Sequence, residues 1–268
     1  MPYKDDHVIL REIISLSLQA GQEALNIYAS DFEVEIKEDT SPVTTADKVG
    51  EEIILSGLNK YFNDIPVIAE EAAADGHIPE LRDPHRDTFF LVDPLDGTKE
   101  FVKRTDEFTV NIALIRGGKP VLGAVYAPAL GKLYSGRYGD GASLYSVDEH
   151  GSLGDAKSIS ARVSPDEGLT AVASRSHRTA QTDEYLETLN VVSFAAAGSS
   201  LKFCLLAEGR ADIYPRFGRT MEWDTGAGQA VLEAAGGRVI STLDEKPLMY
   251  GKVERGFDNP HFVAWGAA

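Results

Sequence analysis

The chain has 268 residues, 43% of them apolar and 9% aromatic, so it can bury a sizeable core as one large domain or two small ones and is not wholly disordered. Twenty-six Lys and Arg against forty-two Asp and Glu leave a formal charge of −16 at pH 7, which excludes broad, non-specific binding to nucleic acid or to anionic membranes. Cys204 is the one cysteine, which excludes an intramolecular disulfide and a cysteine-based zinc site and fits a reducing compartment. Acids stand at the start of the chain where a secretory leader needs a basic region, and no apolar run approaches the roughly 18 residues of a spanning helix. The expected location is the cytoplasm, with peripheral attachment to the inner face of the cell membrane as the alternative.

Ile9, Ile13, Leu16, Ala20, Ala24 and Ile27 recur at steps of three and four and predict an amphipathic helix. Thr44, Thr45 and Asp47 offer capping side chains before a second helical pattern through Val49, Ile53, Ile54, Leu58 and Tyr61. The short apolar runs 66–69 and 89–92 predict buried strands that end in Glu70-Glu71 and in Asp93. From Phe108 the period becomes two, and the turn signals Gly117-Gly118 and Gly131 divide an antiparallel meander through residues 121–126 and 133–137. Residues 148–168, rich in Gly, Ser, Asp and Glu, mark the expected boundary between subdomains 1–150 and 151–268. Beyond it the expected order is strand 170–174, a helical pattern around 185–189, strand 191–197, helix 201–207, strand 212–214, helix 225–235, and strands 238–243 and 262–265. An α+β half is thus followed by an α/β half.

Carboxylates carry the chemical signal. In Asp93-Pro94-Leu95-Asp96-Gly97-Thr98 a strand ends, proline stops the ladder, and two carboxylates three residues apart converge in a tight turn. Mg²⁺ is bound by one or two carboxylates with carbonyl, water and phosphate oxygens, and Asp93, Asp96 and the Leu95 carbonyl form such a set. Gly97 allows close backbone approach, and Thr98 opens a helical turn suited to phosphate. The same six residues also suit a plain turn with an Asp cap, and Asp47 and Asp224 each also suit an N-cap of the helix that follows.

Four segments together resemble the inositol monophosphatase superfamily: residues 44–47 (Thr-Thr-Ala-Asp), 68–71 (Ile-Ala-Glu-Glu), 93–98 (Asp-Pro-Leu-Asp-Gly-Thr) and 222–228 (Glu-Trp-Asp-Thr-Gly-Ala-Gly). The resemblance implies an α+β fold, a layered αβαβα sandwich of the sugar-phosphatase type, and metal-dependent hydrolysis of phosphomonoesters. It implies that Glu70, Asp93, the Leu95 carbonyl and Asp96 are metal ligands, with Asp224 holding a second ion. Asp47 and Thr98, with Glu70, would act on the attacking water. The implied cofactor is Mg²⁺, two or more ions, with Li⁺ inhibitory. Gly97, Thr98 and Asp224 would also meet the substrate.

Residues 198–204 (Gly-Ser-Ser-Leu-Lys-Phe-Cys) and 214–218 (Tyr-Pro-Arg-Phe-Gly) resemble the 3′(2′),5′-bisphosphate nucleotidase branch. That branch implies a bisphosphorylated nucleotide as small-molecule partner, hydrolysis of adenosine 3′,5′-bisphosphate to AMP and phosphate, and a place in sulfur metabolism. The second phosphate needs cations of its own, and Lys202 as a point charge and Arg216 as a planar fork fit that need. Ser199 and Ser200 stand before a helix, where they suit an anion or a ribose. His177 occupies a place resembling a histidine that borders the nucleotide in relatives. Two rivals remain: the same metals acting on inositol monophosphate or fructose 1,6-bisphosphate, and a regulatory binding protein on the same fold. The sequence leaves the oligomeric state open between monomer and homodimer, and nucleic acid and an integral membrane segment are not expected.

Overall fold

The structure, a computed structural model of the chain, describes residues 5–36, 42–81, 87–173 and 179–268. Helix α1 (Asp6–Tyr28) is capped by Asp5, whose Oδ1 accepts the His7 N–H at 2.9 Å. It buries Ile9, Ile13, Leu16, Ala20 and Ala24, the face that the three-and-four spacing predicts. A hairpin of β1 (Val34–Ile36) and β2 (Pro42–Thr44) leads into α2 (Thr45–Phe62), which lies beside α1. Both helices cover one face of a seven-stranded sheet ordered β3-β4-β5-β6-β7-β8-β9, comprising Val67–Ala69, Thr88–Asp96, Thr109–Arg116, Lys119–Ala127, Lys132–Arg137, Gly141–Ser146 and Lys157–Ile159. Only β3 and β4 run parallel; the rest form the antiparallel meander. Strand β9 falls inside the segment 148–168 that the composition reads as a connection, and it pairs with β8.

The pleat sorts this sheet's side chains to two cores. Phe90, Val92, Val110, Ile112 and Leu114 pack with α1 and α2, whereas Phe89, Leu91, Ala113 and Ile115 face the opposite way. On that second face lie α6 (Leu201–Ala207) and α7 (Glu222–Ala234). Helix α7 sits so close that a Cβ at Gly123 would stand 2.5 Å from Ala227 O, and one at Gly136 would stand 2.6 Å from Val231 Cα. Beyond these helices is a five-stranded sheet ordered β11-β10-β12-β14-β13, comprising Val191–Ala196, Leu169–Ala173, Ile213–Arg216, Phe262–Trp265 and Arg238–Ser241. Strands β10, β11 and β12 are parallel and β13 and β14 antiparallel. Helix α5 (Ala180–Glu187) packs against β12 through Leu186, which joins Ala171, Ile213 and Val263. Helices, sheet, helices, sheet and helix follow one another as five layers, an α+β sandwich as expected. No helix among the described residues is long and apolar enough to cross a membrane.

Candidate active site

Asp93 and Asp96 are brought to one side by a bulge at the end of β4. Asp93 pairs with Asn111 and Asp96 with Thr109, so two residues of β4 oppose Val110 alone on β5. In a regular strand, positions three apart face opposite ways; the extra residue turns both carboxylates to the same face. Pro94 is tolerated there because a bulge releases a ladder N–H. The Leu95 N–H donates to Asp93 Oδ1 at 3.0 Å and closes the turn. Gly97 follows at φ 94°, and a Cβ on it would meet Ser199 Oγ at 2.2 Å, so only glycine fits. Thr98 then begins the short helix α4 (Thr98–Val102).

Asp47 both caps its helix and reaches Thr98. Its Oδ2 accepts the Thr44 N–H and the Thr44 hydroxyl, each at 2.7 Å, while its Oδ1 accepts the Thr98 hydroxyl at 3.0 Å. The Thr98 hydroxyl also lies 3.2 Å from the Leu95 carbonyl. Asp224 is likewise doubly placed. Helix α7 begins at Glu222, three residues before the expected start, so Asp224 stands in its first turn and accepts the Met221 N–H at 2.8 Å. Glu70 opens α3 (Glu70–Ala74) directly after β3, and Glu51 anchors that helix by accepting the Glu71 and Ala72 N–H groups at 2.8 Å each.

Glu70, Asp93, Leu95, Asp96, Gly97, Thr98, Ser199, Lys202, Arg216 and Asp224 line one cleft of about 490 Å³. The structure therefore gathers the sequence-predicted residues from α3, β4, α4, β12, α7 and the start of α6. Asp47 is 1% exposed and reaches the cleft only through Thr98. Ser200 is a correction in placement: it lies behind the wall, 1% exposed, and its hydroxyl donates to Asp224 O at 2.9 Å. Ser199 lines the cleft, but its hydroxyl lies 2.8 Å from both Asp96 O and Glu107 O, clamping the turn. His177 lies outside the described residues.

The cleft is charged against its own burial. Burial, and then the charges of Glu70, Asp96 and Asp224, hold the Asp93 carboxyl well above the usual carboxylate range. Burial, then Asp96 and Glu70, push Asp224 up to about 8. Asp96 is raised by burial but held back by Lys202 and by hydrogen bonds from Asn111 and the Ser200 N–H. Lys202, 6% exposed, is pushed down to about 8 by burial against the favourable charge of Asp96, with Arg216 pushing the same way as burial. Burial raises Asp47 to about 6 against its Thr44 hydrogen bonds. Among the described residues no three His, Cys, Asp or Glu side chains already stand close enough to enclose an ion. The donor set itself is one of hard oxygens under mutual repulsion, the condition that a hard divalent cation relieves.

A test follows for the metal-free protein. Carboxyls raised in the fold bind more protons folded than unfolded between about pH 4 and pH 8, so stability is greatest at the acid end of that window and falls as pH rises through it. In chelator, Tm is expected to fall from about pH 5 to about pH 8, and saturating Mg²⁺ is expected to flatten the slope. A metal-free Tm that rises over the same range would contradict the clustering of these carboxyls.

Sequence reasoning missed Asn111, Glu51, Tyr214, Thr179 and Arg219, of which the last three line the cleft. Asn111 left a signal, an amide inside an otherwise apolar meander strand. Period-two alternation ordinarily marks one wet face, whereas here both faces are covered and Thr109 and Asn111 are 0% and 1% exposed.

Comparison with known proteins agrees with this geometry. The sequence profile of the inositol monophosphatase family matches residues 5–261. The chain is 43% identical over 256 residues to the 3′(2′),5′-bisphosphate nucleotidase CysQ of Escherichia coli K12, covering 95% of this chain and 98% of that protein. The crystal structure of CysQ from Bacteroides thetaiotaomicron superposes with a TM-score of 0.80 at 38% identity, covering 97% of this chain and 98% of the other. The inositol monophosphatase of Anabaena superposes with a TM-score of 0.72 at 25% identity, covering 97% and 91%. With three of the motifs meeting in one cleft and the fourth joined to it through Asp47 and Thr98, the chain belongs to the inositol monophosphatase family, a family of metal-dependent phosphatases.

Proposed function

We propose that the chain is a Mg²⁺-dependent 3′(2′),5′-bisphosphate nucleotidase that hydrolyses adenosine 3′,5′-bisphosphate to AMP and phosphate. The observation that carries this reading is the presence of two cations, Lys202 and Arg216, in the same cleft as Glu70, Asp93, Asp96 and Asp224. A monophosphate needs only the metal side of such a cleft, and a second phosphate uses the cationic side. Likeness to the CysQ proteins supports the same choice.

Glu70, Asp93, the Leu95 carbonyl, Asp96 and Asp224 would hold Mg²⁺, with subdomains 1–150 and 151–268 contributing to one wall each. Bound Mg²⁺ supplies charge neutralisation for the phosphate and lowers the pKa of water. Thr98 orients that water. Its hydroxyl proton is directed to Asp47 Oδ1 at 3.0 Å, which leaves an oxygen lone pair to accept a proton from the water. Asp47, raised to about 6, is a stronger base than an ordinary aspartate and is poised near neutral pH. Residues 97–98 offer the phosphate a backbone turn that no side chain at position 97 obstructs. The single buried Cys204 suits a reducing cytoplasm, the proposed compartment, and Li⁺ is the expected inhibitor.

A panel at fixed Mg²⁺ comparing adenosine 3′,5′-bisphosphate, inositol 1-phosphate and fructose 1,6-bisphosphate tests the reading. Preference for the nucleotide is expected; a higher kcat/KM for inositol 1-phosphate would assign the chain to the other branch. Absence of phosphate release with and without Mg²⁺ would favour a binding protein on this fold.

Thr98→Ala separates water orientation from metal binding. It is expected to lower kcat by about 10²-fold or more, in the range of a lost general-base contact, while the Mg²⁺ concentration for half-maximal activity stays near wild type. If Mg²⁺ affinity fell in step with rate, Thr98 would be a structural residue of the turn.

A further inference from the structure

The face of β5 that meets α7 carries Thr109, Asn111, Ala113 and Ile115 in succession, apolar at the far end and polar beside Asp96. Asn111 Nδ2 donates to Asp96 Oδ2 at 3.3 Å and to Ser200 Oγ at 3.0 Å, and the Ser200 hydroxyl donates onward to Asp224 O at 2.9 Å. Turning the amide over would set its oxygen against a carboxylate, so the chemistry of the neighbour fixes which atom is the nitrogen. The amide oxygen Oδ1 is buried with no hydrogen-bond partner among the described residues. A buried polar atom left unpaired weakens a fold, and an apolar side chain of similar volume would fill the space without that cost. What Asn111 contributes is therefore its two donor bonds, one to each half of the cleft wall.

We propose that Asn111 is a positioning residue for the reaction: it fixes Oδ2 of Asp96 so that this carboxylate meets the cation in one orientation, and through Ser200 it ties that orientation to the first turn of α7, where Asp224 stands. The proposal rests on the reading of Asp96 and Asp224 as metal ligands. Asn111 is not among the residues that line the cleft, and it acts through Asp96. Ligating carboxylates held by outer hydrogen bonds lose less freedom when they bind, and removing such partners typically costs 10–100-fold in metal affinity or activity.

The test compares wild type with Asn111→Leu, which keeps the volume and removes the donors, and Asn111→Asp, which keeps the shape and sets a further carboxylate against Asp96. Each protein is stripped with chelator and its thermal unfolding is followed through a MgCl₂ titration, alongside kcat and KM at each Mg²⁺ concentration. Asn111→Leu is expected to melt at or above wild type without metal, yet to need about 10-fold more Mg²⁺ for half of the metal-induced rise in Tm. Its kcat is expected to fall about 10-fold or more with KM for substrate little changed, and Asn111→Asp is expected to lose more. The Mg²⁺ midpoint decides: a midpoint at the wild-type value overturns the proposal and leaves Asn111 a packing residue. If Asn111→Leu fails to fold, Asn111→Ser, whose hydroxyl is too short to reach Asp96, is read by the same midpoint. Wild-type Tm and turnover that ignore Mg²⁺ would overturn the metal reading instead.

Discussion

Asp96→Asn is expected to lose at least about 100-fold in kcat/KM, while the metal-free protein melts no lower than wild type. The substitution keeps the side chain's shape at the end of the β4 bulge and removes one negative charge from a wall that also carries Glu70, Asp93 and Asp224. Asp93 and Asp224 are raised partly by the charge of Asp96, so neutralising it relieves both of them. Against that gain stands Lys202, whose charge Asp96 favours. Two carboxylates relieved against one cation deprived is the balance that predicts an unchanged or raised Tm. A 100-fold loss corresponds to about 2.7 kcal/mol of transition-state stabilisation, which a single ligand charge readily supplies. Near-wild-type turnover at ordinary Mg²⁺ would remove Asp96 from the ligand set, and a large drop in metal-free Tm would make it a folding residue.

The parts of this molecule that were legible in the sequence are those whose signal is local. Helix α1 writes its buried face at helical spacing over 23 residues, and Thr44 with Asp47 forms the capping box that begins α2. Residues 89–92 of strand β4 are an unbroken apolar run because helices cover them on both faces. The short strands β8 and β9 were not legible, since their Gly, Ser and Lys residues state no preference and their pairing comes from the strand before them. The start of α7 was misplaced because Met221 offers no capping hydroxyl or carboxylate, and the cap comes from Asp224 inside the helix. Within the site, the ligand-like carboxylates were readable at strand and helix ends. Asn111 was not, and Ser200 was read as a residue facing the substrate rather than one behind the wall, because their contacts join β5, the start of α6 and α7, which are far apart in the chain.

Lys202→Ala and Arg216→Ala are expected to cost about 10–100-fold each in kcat/KM for adenosine 3′,5′-bisphosphate and to change hydrolysis of inositol 1-phosphate little. A charge-assisted hydrogen bond is worth roughly 1.5–3 kcal/mol, and each 1.4 kcal/mol is tenfold. The cations are held differently. Lys202 is buried on α6 with Nζ 5.6 Å from the Tyr214 ring centre, while Arg216 ends β12 and donates through Nη2 to the Arg219 carbonyl at 3.1 Å. Both oppose nearby acids, Lys202 holding Asp96 down and Arg216 holding Asp224 down. Their removal therefore also changes the field at the carboxylates. Measuring both substrates over a range of Mg²⁺ separates the two effects. A loss confined to the bisphosphate at saturating Mg²⁺ is the signature of a second phosphate on these cations. Lowering of both substrates alike, with a shifted Mg²⁺ midpoint, would mean that Lys202 and Arg216 serve the metal site, and the chain would then be a general sugar phosphatase of its family.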